Sequence, residues 1–251
     1  MNDIISLMKE HRSIRSYAPD PVTDEQLTAI LSAAQAASTS SNIQAYSVIG
    51  VRGEEKRRRL AELTGHQKHV EQAPLFLVWC ADLNRLQSAV GGAMETEEPE
   101  FELPSNMEAF IMATVDCALA AQNAAIAAES LALGVVYIGG IRNRPQEVSE
   151  LLQLPKLVYP VFGMCVGTPT QAPDVRPRLP LPVVYHEEAY SEAGFKEGIE
   201  AYDAVMAEYY AQRTGGGRAS VWSTEMAARF RLKNLRPHMR DFLLSQGFRL
   251  D

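Results

Sequence analysis

The sequence predicts a mixed fold of helices and short strands that is not a simple doubly wound sheet. Three observations carry that expectation. Four short apolar runs have strand character: Tyr46–Val51, Leu75–Cys80, Val135–Ile138 and Val158–Val166. A helical run from about Asn106 to Leu133 is longer than any other and apolar almost all round. Between residues 168 and 185 stand Pro169, Pro173, Pro177, Pro180 and Pro182, so that stretch is extended and cannot join a central sheet.

Taken in order, Ile4, Ile5, Leu7 and Met8 make a short amphipathic helix that delivers the cationic stretch His11-Arg12-Ser13-Ile14-Arg15. Thr23 and Gln26 form a capping box, and Leu27, Ile30, Leu31 and Ala34 follow at helical spacing. Ser38-Thr39-Ser40-Ser41-Asn42 favours a loop that presents hydroxyls without bulk. Arg57-Arg58-Arg59 reads as a solvated helix face. Leu75–Cys80 suits a central strand buried on both faces. Residues 82–105, with Glu95, Glu97, Glu98, Glu100, Glu102, Pro99 and Pro104, read as a surface excursion. The long helix is rich in Ala, which permits close helix approach. A helix apolar on every side must be buried on every side, so this one is the hub of the fold or part of a subunit interface. Gly134 supplies its stop, and Pro145 opens another helix bearing Val148, Leu151 and Leu152. Phe195 to Tyr209 marks a further helix. A glycine-rich loop, Thr214-Gly215-Gly216-Gly217, leads to a basic helical tail that starts at Trp222.

A net charge of -7 speaks against nucleic acid as the main partner, because phosphate backbones need a basic surface. Cys80, Cys117 and Cys165 sit in apolar surroundings and read as buried, reduced thiols. Asp3, Lys9 and Glu10 break up any signal-peptide core, and Asp116, Gln122, Asn123 and Glu129 interrupt the long helix as a membrane span. A cytoplasmic protein without membrane attachment is expected. No G-x-G-x-x-G follows a strand, and neither a P-loop nor a G-x-S-x-G elbow is present. His66 and His69 lack the companions of a zinc site, so no metal is expected.

What remains are cations and glycines. His11, Arg12, Arg15, Arg176 and Arg178 suit a monophosphate held by charge-assisted hydrogen bonds, or else surface pairing with the 31 acids. Gly139-Gly140 is either a plain turn or a backbone that approaches a flat ring closely.

An ordered set of motifs resembles the nitroreductase superfamily, in its branch of oxygen-insensitive NADPH nitroreductases and NADPH-flavin oxidoreductases. The motifs are His11–Arg15, the 38–41 loop with Gln44, Thr64–Val70, Ala81–Arg85, Ala121–Ser130, Val136–Gly140 and Arg176–Pro180. The resemblance covers nearly the whole chain. It implies an α+β sandwich with a central mixed sheet, formed by a single domain over 1–251 whose residues 186–251 are a helical C-terminal extension. It also implies an intertwined homodimer with FMN at the interface, each FMN touched by both subunits, and a C-terminal segment that embraces the partner.

The same resemblance assigns roles. His11, Arg176 and Arg178, with Pro177 between the last two, would hold the FMN phosphate. Ser13 and Arg15 would meet the ribityl chain and the N1/O2 edge, with Ile14 between them. Arg12 would serve the cofactor or pair with an acid. Gln67 would bond the pyrimidine edge, and the backbone of Tyr137, Ile138, Gly139 and Gly140 would face N5 and O4. Thr39 stands where the family usually has Ser. Ser41 and Asn42 would border the substrate, Asn42 where relatives often carry an aromatic. Arg213, Arg218, Lys233 and Arg236 would serve NADPH. No catalytic side chain is implied, since hydride passes through flavin N5 in a ping-pong reduction of nitroaromatics, quinones or free flavin. A non-catalytic flavin-binding redox sensor, or another enzyme on this fold such as a reductive dehalogenase, remains an alternative reading.

Overall fold

In a computed structural model the described residues are 2–93, 105–213, 215, 220–231 and 235–251. The acidic cluster from Glu95 to Glu102, Arg218 and Lys233 lie outside them. By compactness the chain falls into two units: 1–173 with 237–251, and 174–236.

The first unit is built around a four-stranded sheet in the order β1 (Tyr46–Val51), β2 (Leu75–Asp82), β4 (Val158–Gly167), β3 (Gly134–Ile138). All three strand pairs are antiparallel, so the sheet is antiparallel where a mixed one was expected, and an isolated parallel bridge outside the strands joins Ser13 to Val135. Every residue of β2 is buried, as its unbroken apolar run requires. Alternation along that strand divides the core. Leu75, Leu77, Trp79 and Ala81 join a cluster with α2 (Asp24–Gln35) and α6 (Met107–Ser130). Phe76, Val78 and Cys80 join a second cluster with α3 (Glu54–Leu63) and α7 (Pro145–Leu152). The result is a sheet covered by helices on both faces.

Local signals agree with their elements. Short α1 (Asp3–Lys9) is capped by Asn2, whose side chain accepts from the Ile4 N–H at 2.8 Å. The capping box of α2 closes with Gln26 N–H to Thr23 Oγ1 at 3.1 Å and Thr23 N–H to Gln26 Oε1 at 3.0 Å. Arg58 and Arg59 of α3 face water and pair locally, Arg58 with Glu54 at 2.7 Å and Arg59 with Glu62 at 2.6 Å, whereas Arg57 is half-buried and donates Nε to Glu71 C=O at 3.2 Å. Another short helix, α4 (Lys68–Gln72), precedes β2. Cys80, Cys117 and Cys165 are buried and free, and burial raises the pKa of each thiol.

Three further expectations are corrected. Part of the excursion expected at 82–105 is regular: Asp82 ends β2, and Asn84–Ala93 forms α5. Gly134 is not the stop of the long helix. Ala132 takes the left-handed position at φ +59°, and the Leu133 N–H to Ala128 C=O bond at 3.0 Å completes a Schellman motif. Gly134 lies in β3, where a Cβ would sit 2.6 Å from Ile14 Cγ1. Finally, α6 is not buried all round in the single chain. Its small residues, Ala113, Cys117, Ala120, Ala121, Ala124 and Ala128, are fully buried, but Met107, Ile111, Val115 and Leu119 are 40–49% exposed. That spacing of four lines them along one helix face.

The return segment carries α11 (Met239–Ser245). It is tied to the sheet unit by Leu157 N–H to Gln246 C=O at 2.7 Å and Arg249 N–H to Ser105 C=O at 2.7 Å, and Phe248 is buried beside Phe110 and Tyr159. In the second unit the proline-rich stretch has no regular structure before α8 (Leu181–Val184). There α9 (Phe195–Arg213) and α10 (Trp222–Arg229) pack around Tyr202, Met206 and Tyr210. Asp203 caps the start of α10 by accepting from the Ser223 N–H at 2.9 Å.

Candidate functional site

The cationic stretch 11–15 runs beside the edge strand β3. Ile14 N–H donates to Val135 C=O at 2.9 Å, and the Ile14 side chain is buried over Gly134. Ile14 is therefore an anchor that fixes the stretch against β3. Arg15 on the other side is exposed, its Nη1 3.4 Å from Ser13 C=O. Tyr17 donates to Ile14 C=O at 2.6 Å and braces the turn.

His11 is met by an acid. Its Nδ1 lies 2.6 Å from Glu129 Oε1 near the end of α6, and both side chains are largely shielded. A carboxylate at Nδ1 fixes the ring and leaves Nε2 as the nitrogen for another partner. Arg12, by contrast, has a buried Nε with no hydrogen-bond partner among the described residues.

A second segment reaches the same end of the sheet. After α3 the chain turns through Gly65 and His66 at φ +96° and +57°, so that Gln67 folds back to donate to Thr64 C=O at 2.8 Å. This turn packs on Gly140: a Cβ there would lie 2.5 Å from both Gln67 Nε2 and Thr64 O. The glycine is required by that close approach. Ile138 is buried in the core and Tyr137 packs edge-on against Phe162, so the 137–140 turn offers backbone rather than side chains. Burial, helped by Glu129, raises the Tyr137 pKa.

His69, which stands in the Thr64–Val70 motif without an expected binding role, belongs with this group. Its Nε2 is buried without a partner among the described residues. Burial and the charge of Arg15 lower its pKa, which favours the neutral ring. The same Arg15 charge acts on Cys165 and Tyr17. Arg15, Gln67, His69 and Gly140 are thus brought to one end of the first unit.

The Thr39–Gln44 loop is held elsewhere. Its hydrogen bonds run to Asp116 and Arg85, and Thr39 Oγ1 accepts from the Gln44 N–H at 3.3 Å. Ser41 and Asn42 are exposed. In the second unit Arg178 folds back to donate to Arg176 C=O at 2.7 Å, and Tyr202 Oη donates to Pro177 C=O at 2.9 Å. Arg176 and Arg178 are exposed. Arg213, at the end of α9, lies with Nη1 3.3 Å from Tyr209 Oη, and Arg236 is half-buried. No cluster of His, Cys, Asp or Glu suited to a metal ion occurs among the described residues.

This donor set fits a flat cofactor that carries carbonyl and phosphate oxygens. Arg12 Nε is a buried donor, Arg15 an exposed guanidinium, and the backbone near Gly140 is stripped of side-chain bulk. The protein is thus an α+β protein with a cationic cofactor-type site at one end of its sheet.

Residues 8–168 match the nitroreductase family, and residues 176–251 match the nitroreductase family C-terminal domain. The FMN reductase (NADPH) of Bacillus subtilis is 44% identical over 250 residues, covering 99% of both chains. The oxygen-insensitive NADPH nitroreductase of Salmonella typhimurium is 44% identical over 249 residues, again 99% of each. Among solved structures, an oxidoreductase from Bacillus subtilis superposes with a TM-score of 0.95 at 40% identity over 100% of both chains. The NADPH:FMN oxidoreductase from Vibrio harveyi complexed with NAD+ gives 0.86 at 40% identity over 98% of each. The chain belongs to the nitroreductase family.

Proposed function

We propose that the protein is an FMN-dependent oxidoreductase that takes electrons from NADPH and reduces nitroaromatics, quinones or free flavin. Full-length relatives named for FMN, NADPH and nitro reduction support this reading. The observation that carries it is the approach of two segments to β3: residues 13–14 pair with Val135, and the Thr64–Gln67 turn packs on Gly140 just after the strand. Bound FMN would supply two-electron chemistry between NADPH and the acceptor.

The chain's own residues bind and orient. Arg15 would place positive charge against the pyrimidine side of the ring, with Gln67 on its edge and Ser13 toward the ribityl chain. Arg12, His11, Arg176 and Arg178 would share the phosphate end. His69 joins this set through its buried Nε2. The backbone of Tyr137 to Gly140 would lie against the ring, Thr39 would meet the cofactor, and Ser41 and Asn42 would border the acceptor. Arg213, Arg218, Lys233 and Arg236 would hold NADPH.

The whole chain would act as one functional unit, in a cytoplasmic homodimer with FMN at the interface and the C-terminal segment embracing the partner. Exposed Met107, Ile111, Val115 and Leu119 on α6, with Ile4, Ile5 and Met8 on α1, support a second copy as the cover of that face.

The test is an FMN titration of cofactor-stripped protein. A charge-assisted hydrogen bond contributes about 1.5–3 kcal/mol, so Arg15→Ala should weaken FMN binding roughly 10- to 100-fold. Unchanged affinity would remove Arg15 from the site.

A further inference from the structure

Asp116 and Arg85 grip the loop at 39–46 from two sides, and the proposed chemistry uses neither. Asp116 sits in the middle of α6 with 0% exposure. Its Oδ1 accepts the Ser40 N–H at 2.9 Å, and its Oδ2 accepts the Ala45 N–H at 3.1 Å. Arg85, at the start of α5, donates Nη2 to Gln44 C=O at 2.6 Å and to Tyr46 C=O at 2.7 Å. Its Nη1 reaches Ser47 Oγ at 3.3 Å. Asp82 completes the grip: its carboxylate accepts the Arg85 N–H at 3.1 Å and the Ser47 hydroxyl.

The gripped backbone is one that side chains disfavour. Ser41, Asn42 and Gln44 have φ of +46°, +58° and +49°, and none is glycine. Such conformations persist where the surroundings over-determine them. A buried carboxylate in an Ala-rich helix is also a poor choice for stability alone, since an apolar residue there would avoid its desolvation. It is a good choice for position, because two N–H groups converge on it and a carboxylate is acceptor-only.

We propose that Asp116 and Arg85 are positioning residues that hold the 39–46 loop so that Ser41 and Asn42 present a fixed edge to the electron acceptor. This rests on the reading of the loop as the acceptor's border. Neither residue touches the acceptor. Both set the geometry of those that do, and so they determine how tightly different acceptors bind.

The experiment compares wild type, Arg85→Met, Arg85→Lys and Asp116→Asn. Amide exchange is measured on FMN-free protein, and steady-state kinetics with a nitroarene and a quinone on FMN-loaded protein. In Arg85→Met the amides of Ser40 and Ala45 should exchange at least about tenfold faster, while the thermal midpoint stays near wild type because Arg85 is 56% exposed. The acceptor KM should rise about three- to tenfold, by different factors for the two acceptors, with a smaller change in kcat. Arg85→Lys should recover part of the loss, since it keeps the charge but not the fork. Asp116→Asn should act in the same direction, and if it does not fold, Arg85→Met decides. Faster exchange with an unchanged acceptor KM would make the grip merely structural and overturn the proposal, as would unchanged exchange. Wild-type protein that binds no FMN would sink the functional reading, and the acceptor role with it, even if exchange showed the grip itself to be real.

Discussion

Ala132 shows how a single residue can carry a conformation that its side chain opposes. It terminates α6 at φ +59°, the left-handed position at which helices usually place glycine. A Cβ there costs about 1–2 kcal/mol, partly offset by the greater freedom of glycine in the unfolded chain. Ala132→Gly should therefore stabilise the protein by roughly 0.5–1 kcal/mol, read as a higher urea midpoint at unchanged slope. A lower midpoint would show that the side chain does something else. The same residues explain what the sequence hid. Gly134, two positions on, looks like the stop by local pattern, but the contact that requires it comes from Ile14, far away in the chain. Gly140 is similar: a plain turn and a packing site for Gln67 look alike until the 64–69 turn is placed against it. His11 and Arg15 read equally as cations, and only the fold gives one a carboxylate and leaves the other exposed.

At the scale of elements, periodicity was a good guide where one chain settles the outcome. The alternation in β2 follows from burial on both faces, and the capping box of α2 is a local hydrogen-bond pattern. Periodicity was a poor guide for α6, because apolar residues on all sides state that each side is covered without stating by what. The small side chains pack within the subunit, and the larger Met107, Ile111, Val115 and Leu119 do not. If a second copy covers them, Leu119→Lys should weaken the dimer strongly while leaving the subunit folded, since the exposed residue adds little to its own core. Sedimentation at a series of concentrations would read this. A variant that stays dimeric at the wild-type concentration would place the interface elsewhere. Asp116 was also open to better use as a signal: a lone acid inside so apolar a helix needs partners, and here they are the amides of Ser40 and Ala45.

For the whole molecule, the sheet with helices on both faces follows from its two core clusters, and the chain closes that unit by bringing 237–251 back to it. The intervening residues 174–236 form their own compact unit. Helix patterns from 186 onward predict a helical extension, but they do not separate off the return segment, whose place is fixed by pairings such as Leu157 to Gln246. Flavin chemistry can be seen by eye in the purified protein. Purified protein is loaded with FMN, and its visible absorbance is followed as NADPH and then a nitroarene are added without oxygen. Bound yellow flavin should be bleached by NADPH and restored by the nitroarene, with one NADPH consumed per two electrons delivered. Protein that binds no FMN, or whose bound FMN stays yellow in excess NADPH, would contradict the proposed function.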